Sequence, residues 1–288
     1  MEKIYIKKKQ KSVCDKRDMK MKRKLYILIS IVGVLLFISL IGKYIAPYNA
    51  LETNPKMASK APSALHIFGT DNFGRDVFSR TLVGARTSIF ASVALVAFTF
   101  TFGSLFGVVS AYYGGIVDTI FMRITDILLS FPDMIIGISV AGILGGGLLN
   151  AMIALGVTGW TQYARIARSQ VLRIKEENYV KAAKLEGNNN FRIMTVYIVP
   201  NIIAPLIVTA TLHISTMMIS LAGLSFLGLG VKLPHPEWGS MISEGSKFLQ
   251  TAPWIALLPS LVMIFVIVVF NLLGDTISDV LDPKRRNG

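Results

Sequence analysis

The sequence predicts an all-α polytopic membrane protein with six transmembrane helices. Hydrophobic residues make up 52% of the 288 and charged residues only 16%, against about 25% charged in a soluble domain. The mean hydropathy is +0.56. The apolar residues fall in long runs, and residues 88–113 contain no charge at all, which is enough length to cross a bilayer. The net charge of +13 raises the question of nucleic acid. That charge sits in the tail and loops that the positive-inside rule puts in the cytosol, so no nucleic-acid partner is expected.

Residues 1–24 form a basic tail with eleven Lys or Arg and three acids, read as a solvated segment that fixes orientation. Cys14, the single cysteine, lies in it and excludes an intrachain disulfide. Residues 25–46 are the first apolar run. It is longer than the roughly 7–15 residues of a signal-peptide core, and Pro47 follows it, so it reads as a retained span leaving the cytosol. Residues 47–80 form an external loop ending in FGTDNFGRDVFSR. There Asp71 can cap a turn, Gly74 permits an unusual backbone, and a helix can begin near Arg75. The expectation is a folded loop with local ion pairs.

Residues 88–113 are the second span. Gly103 and Gly107 form a GxxxG pair that lets helices approach closely, read as packing within the chain rather than as a dimer seam. Residues 114–126 form a short re-entry segment in which Arg123 and Asp126, three apart, can pair. A third span covers residues 127–145, a Gly145-Gly146-Gly147 turn follows, and a fourth span begins over residues 148–161. The fifth covers 202–227 with Pro205 and His213, a lone histidine inside a membrane segment, read as structural or pathway-lining rather than as a proton relay. A second external loop, 228–253, is rich in Gly and Pro. The sixth span covers 254–273, and residues 281–288 form a basic terminus.

Between the fourth and fifth spans lies a polar island, residues 160–201, with seven Lys or Arg against three Glu. Inside it NYVKAAKLEG (178–187) reads as a short helix, with Asn178 at its N-cap and Gly187 at C′. Tyr179, Ala182, Ala183 and Glu186 share one face at helical spacing. The segment is too polar to span and too short to be stable alone, which suggests a docking element. Six spans put both termini on one side. That side holds 22 Lys or Arg against 8 on the other, which places the termini and the island in the cytosol.

The island resembles the EAA loop of permease subunits in binding-protein-dependent ABC importers: Glu-Ala-Ala, three residues, Gly, and a Pro thirteen residues later. Lys181-Ala182-Ala183, Gly187 and Pro200 match it. Lys181 stands where the family has Glu, and Val199 where Leu is usual. FGTDNFGRDVFSR, the GLG…PEWG run (228–239) and FNLLGDTISDVLDP (270–283) look like the second permease subunit of dipeptide, oligopeptide and nickel importers. The likeness covers nearly all of residues 25–283.

The resemblance implies a type I importer permease (MetI-like) fold with its core in residues 81–280 and a coupling loop over 165–200. The coupling helix would comprise Tyr179, Val180, Lys181, Ala182, Ala183 and Gly187, with Pro200 closing the loop. It also implies a heterodimer with a second permease subunit, two cytosolic ATPase subunits, an extracytoplasmic solute-binding protein, and a place in the lipid of the cytoplasmic membrane. The cargo would be a peptide, nickel or a metal chelate, moved by alternating access. The chain has no GxxxxGK[ST] sequence, so it is not expected to be an enzyme or to hold a nucleotide. No metal-ligand spacing and no nucleophile–base arrangement is visible. The alternative is an ion- or proton-coupled secondary transporter, which would need paired ionisable groups or inverted repeats within the membrane.

Overall fold

The computed structural model describes residues 2–281, with side chains from Met19 onward. Cys14 and the basic terminus after Leu281 lie outside the described side chains. Ten helices follow in order. They are α1 (Glu2–Ile45), α2 (Val77–Tyr113), α3 (Gly115–Leu129), α4 (Asp133–Ile143), α5 (Leu148–Ile174), α6 (Asn178–Leu185), the single turn α7 (Asn190–Arg192), α8 (Val199–Phe226), α9 (Trp238–Ser246) and α10 (Trp254–Leu281). A π-helical stretch, Ile193–Ile198, joins α7 to α8.

Local chemistry sets the boundaries. Asp76, extended, starts α2 by accepting the Ser79 amide at 2.7 Å through Oδ2, and Gly114 at φ 67° ends it. Pro132 has no amide hydrogen and disfavours the helical region at Phe131. The helix therefore breaks there, and α3 and α4 meet at an 88° bend. Gly145, Gly146 and Gly147, all at positive φ, turn the chain into α5. Glu237 caps α9, its carboxylate accepting the amides of Gly239 and Ser240 at 2.8 and 2.9 Å.

Among the described residues, four helical segments are long and apolar enough to cross a membrane: Met19–Ile45, Val77–Tyr113, Asn190–Phe226 and Trp254–Leu281. The bent α3–α4 pair makes a fifth if taken as one span. The expected third span, 127–145, is therefore corrected: it is half of a broken helix pair, and the expected re-entry segment is the other half. The expected fourth span opens α5, a 27-residue helix whose second half carries Arg165, Arg168 and Arg173. Six crossings need both this half-polar helix and the broken pair. Asp126 binds Arg165 at 2.6 Å and Asp118 binds Arg168 at 2.7 Å, so these acids tie α3 to α5. The expected Arg123–Asp126 pair is replaced by that tie.

Three apolar clusters hold the bundle. One joins α1, α2, α8, α9 and α10 around Trp238, Ile89 and Phe270. A second joins α2, α5, the π stretch and α8 around Tyr163, Val171 and Ile193. A third joins α2, α4, α5 and α8 around Leu155 and Leu224. The α2–α5 seam is the closest. A Cβ on Gly103 would sit 2.1 Å from the Trp160 carbonyl oxygen, and one on Gly107 2.4 Å from that of Ala164. Both glycines thus face α5 of their own chain.

At the end of the bundle where α2 begins, the two predicted loops form one polar hub. Asp71 Oδ2 binds Arg75 Nε at 2.6 Å and lies 3.5 Å from Arg80 Nε. Both arginines reach Glu244 of α9, at 3.2 and 3.3 Å. Arg80 also donates to the carbonyls of Ala50 and Pro234. Trp238 donates its indole N–H to the Thr81 carbonyl at 3.0 Å, and Glu237 accepts from Ser88. The pairs of Asp71 with Arg75 and Arg80 are local, as expected, but those with Glu244 staple loop 47–80 to α9, a helix inside the segment expected to be loop.

Candidate coupling site

The polar island sits at the other end of the bundle, where α2 finishes. It is carried by two long helices. α5 descends into it, and after α6 and α7 the π stretch leads into α8. Lys175 at the end of α5 donates to the Ala111 carbonyl at 3.1 Å, and Tyr112 donates to Asn190 Oδ1 at 2.8 Å. Both bonds fasten the island to the end of α2.

α6 begins after Glu177, whose side chain makes no capping bond. The expected Asn178 cap is corrected: Asn178 is the first helical residue. The other end follows the prediction. Gly187 adopts φ 79°, its amide bonds to the Lys184 carbonyl at 3.2 Å, and the Asn188 amide reaches the Ala183 carbonyl at 3.3 Å. This is the Schellman arrangement that a glycine at C′ serves. Asn188 Nδ2 adds a second donor to the Ala183 carbonyl at 2.9 Å.

The orientation of α6 differs from the expected face. Val180 and Ala183 are buried, 4% and 2% exposed, and Val180 joins the cluster of Val171, Ile174 and Ile193. Tyr179, Lys181, Ala182 and Gly187 are exposed. Ala182 and Ala183 therefore point to different sides, and Ala183 serves the chain's own packing. Leu185 is 89% exposed and Phe191 72% exposed. Neither lies on the face expected from the sequence, although Leu185 is an apolar residue at i+3 from Ala182. Pro200, exposed, is the second residue of α8 and directly follows the π stretch, inside the helical segment Asn190–Phe226, where its missing amide hydrogen leaves one bond of the helical ladder unmade.

The helices flanking α6 also meet within the bundle. Tyr163 of α5, fully buried, lies with its hydroxyl 2.9 Å from His213 Nδ1 of α8. Phe100 of α2 packs edge-on against Tyr163, with ring centroids 5.7 Å apart. His213 thus has a structural partner on the helix that leads to α6. Among the described residues no group of three or more His, Cys, Asp or Glu could hold a metal ion.

Residues 103–287 match the family described as binding-protein-dependent transport system inner membrane component. The chain belongs to that family. It is 40% identical over 264 residues to the dipeptide transport system permease protein DppC of Alkalihalophilus pseudofirmus, covering 90% of this chain and 87% of that protein. It is also 40% identical over 256 residues to the oligopeptide transport system permease protein OppC of Bacillus subtilis, covering 89% and 84%. The glutathione transport system permease protein GsiD of Pectobacterium atrosepticum is 36% identical over 257 residues, covering 89% and 85%. An inward-facing structure of the MetNI methionine ABC transporter superposes with a TM-score of 0.57 at 19% identity, over 70% of this chain and 97% of that one. That likeness carries the fold, a type I importer permease. The protein is thus a multi-pass membrane permease subunit, and α6, with its two carrying helices, lies inside the family's matched region.

Proposed function

We propose that this permease moves peptides across the cytoplasmic membrane as one half of an ATP-driven importer, with α6 as the helix through which a separate ATPase drives it. The observation that supports this reading is the mounting of α6. It is a short exposed helix on the polar end of the bundle, fixed at both sides to long helices that share a buried tyrosine–histidine bond. A push on such an element tilts α5 and α8 together, which is how a docked subunit biases two packings of a bundle. The dipeptide, oligopeptide and glutathione names of the relatives favour peptide cargo over nickel or a metal chelate. The partners in this reading are a second homologous permease, two ATPase subunits and an external solute-binding protein. In this reading the core spans 81–280, with both termini and α6 in the cytosol, which the charge bias supports. The family assignment leaves the proton-coupled alternative without an observation in its favour.

The test is uptake into vesicles holding the permease pair, the ATPases and the binding protein. Peptide should accumulate only with internal ATP and loaded binding protein, and a protonophore should not stop it. Uptake driven by a proton gradient without ATP overturns the reading.

A further inference from the structure

This inference rests on the reading of α6 as the ATPase contact and adds the chemistry of the surface it meets. At about 100° per residue, the face of α6 opposite Val180 and Ala183 is made by Asn178, Lys181, Ala182 and Leu185, all exposed. Lys181 carries the one charge of these four, while Lys184 and Glu186 lie to either side of the stripe. Leu185 projects almost wholly into solvent, and Ala182 beside it is small enough for another surface to come close. Lys181 Nζ lies 3.1 Å from Glu176 Oε2, but the two side chains are 56% and 67% exposed. An ion pair that open is weak and screened by salt. An ammonium also has three hydrogens to donate, so Glu176 does not occupy it.

A groove that covers this face strips water from Lys181 and from Leu185 together. Desolvating an ammonium without an acceptor is costly, whereas desolvating the leucine is favourable. The occupant that fits both has an anionic acceptor beside an apolar pocket. We propose that the ATPase docking on α6 presents a carboxylate to Lys181 next to a pocket for Leu185, so that Lys181 determines which ATPase this permease accepts. Lys181 acts here by recognition and takes no part in chemistry.

The test uses membranes holding the assembled importer, with Cys14→Ser and Ala182→Cys in the permease and a thiol-to-amine crosslinker. The Ala182→Cys site should crosslink to the ATPase. Adding Lys181→Glu should cut that crosslink about tenfold or more at low salt, the loss expected when one partner of a covered charge pair is reversed. Lys181→Arg should keep most of it, and replacing the facing ATPase carboxylate by Arg, which adds charge but no reactive amine, should rescue Lys181→Glu. All of these variants should stay in the membrane, because position 181 is solvent-facing. Equal crosslinking by the Lys181→Glu and Lys181→Arg proteins at low and high salt overturns the inference while leaving docking at α6 intact. If Ala182→Cys never crosslinks to the ATPase, the docking reading falls and takes the inference with it.

Discussion

Ala182 and Ala183 are chemically identical neighbours on opposite duties, and a single substitution at each separates them. Ala183 is 2% exposed against its own chain. Arginine there would have to bury an unpaired charge, at a cost on the order of several kcal/mol. Ala183→Arg should therefore lower the amount of permease in the membrane as well as abolish uptake. An immunoblot of membranes beside an uptake assay checks this, and normal levels would mean that the site is open to solvent. Gly187 behaves differently. A side chain there would meet nothing within 4 Å, but the φ of 79° costs a β-branched residue roughly 1–2 kcal/mol. Gly187→Val should keep membrane levels and weaken only ATPase association, read as reduced co-purification.

Helix by helix, two contacts of the bundle can be probed by single substitutions. In the α2–α5 seam a Cβ at Gly103 would lie 2.1 Å from a backbone oxygen and 2.8 Å from the Tyr163 Cβ, and neither atom is the end of a flexible chain. Gly103→Val should force the helices apart, costing at least the roughly 1–3 kcal/mol typical of overpacking, and should lower the melting temperature of the detergent-solubilised protein. An unchanged melting curve would show the seam to be loose. The second seam is the polar hub that clamps loop 47–80 onto α9. Arg80 is 1% exposed and engages Asp71 and Glu244. Removing it takes one of two arginines from the buried Asp71 and the half-buried Glu244, which keep only Arg75, and so loosens the clamp. Arg80→Met should make loop 47–80 susceptible to external protease, whereas an exposed change such as Lys56→Met should not.

For the molecule as a whole, orientation is the testable quantity. The excess of Lys and Arg on the α6 side predicts that Cys14 is shielded from an impermeant thiol reagent in intact cells. A Lys232→Cys substitution in a Cys14→Ser background should be labelled. The reverse pattern would put α6 outside and exclude an ATPase as its partner. The purified subunit should also show no saturable ATP binding, since it lacks the glycine-rich phosphate loop; saturable binding would move the energy-coupling role into this chain.

The sequence by itself determined the class, the helix-rich membrane architecture, the family motifs and the glycine that ends α6. Each of these is written in composition or in residues close along the chain: an apolar run, a Gly-x-x-x-Gly spacing, a Gly at C′. Boundaries set by a single strong local signal were legible in the same way, as at the turn of Gly145, Gly146 and Gly147. The break at Pro132 was equally local in origin, yet the apolar run around it reads as continuous, because hydropathy does not register a missing amide hydrogen. Only the tertiary structure decided which side of α6 faces solvent, since Val180 and Ala183 are buried, Val180 in a cluster with Val171, Ile174 and Ile193 from other elements. It likewise decided that Arg75 and Arg80 meet Glu244, more than 160 residues away along the chain, and that His213 meets Tyr163. Those pairings depend on how helices pack, and packing brings together residues whose separation in sequence carries no trace of their contact.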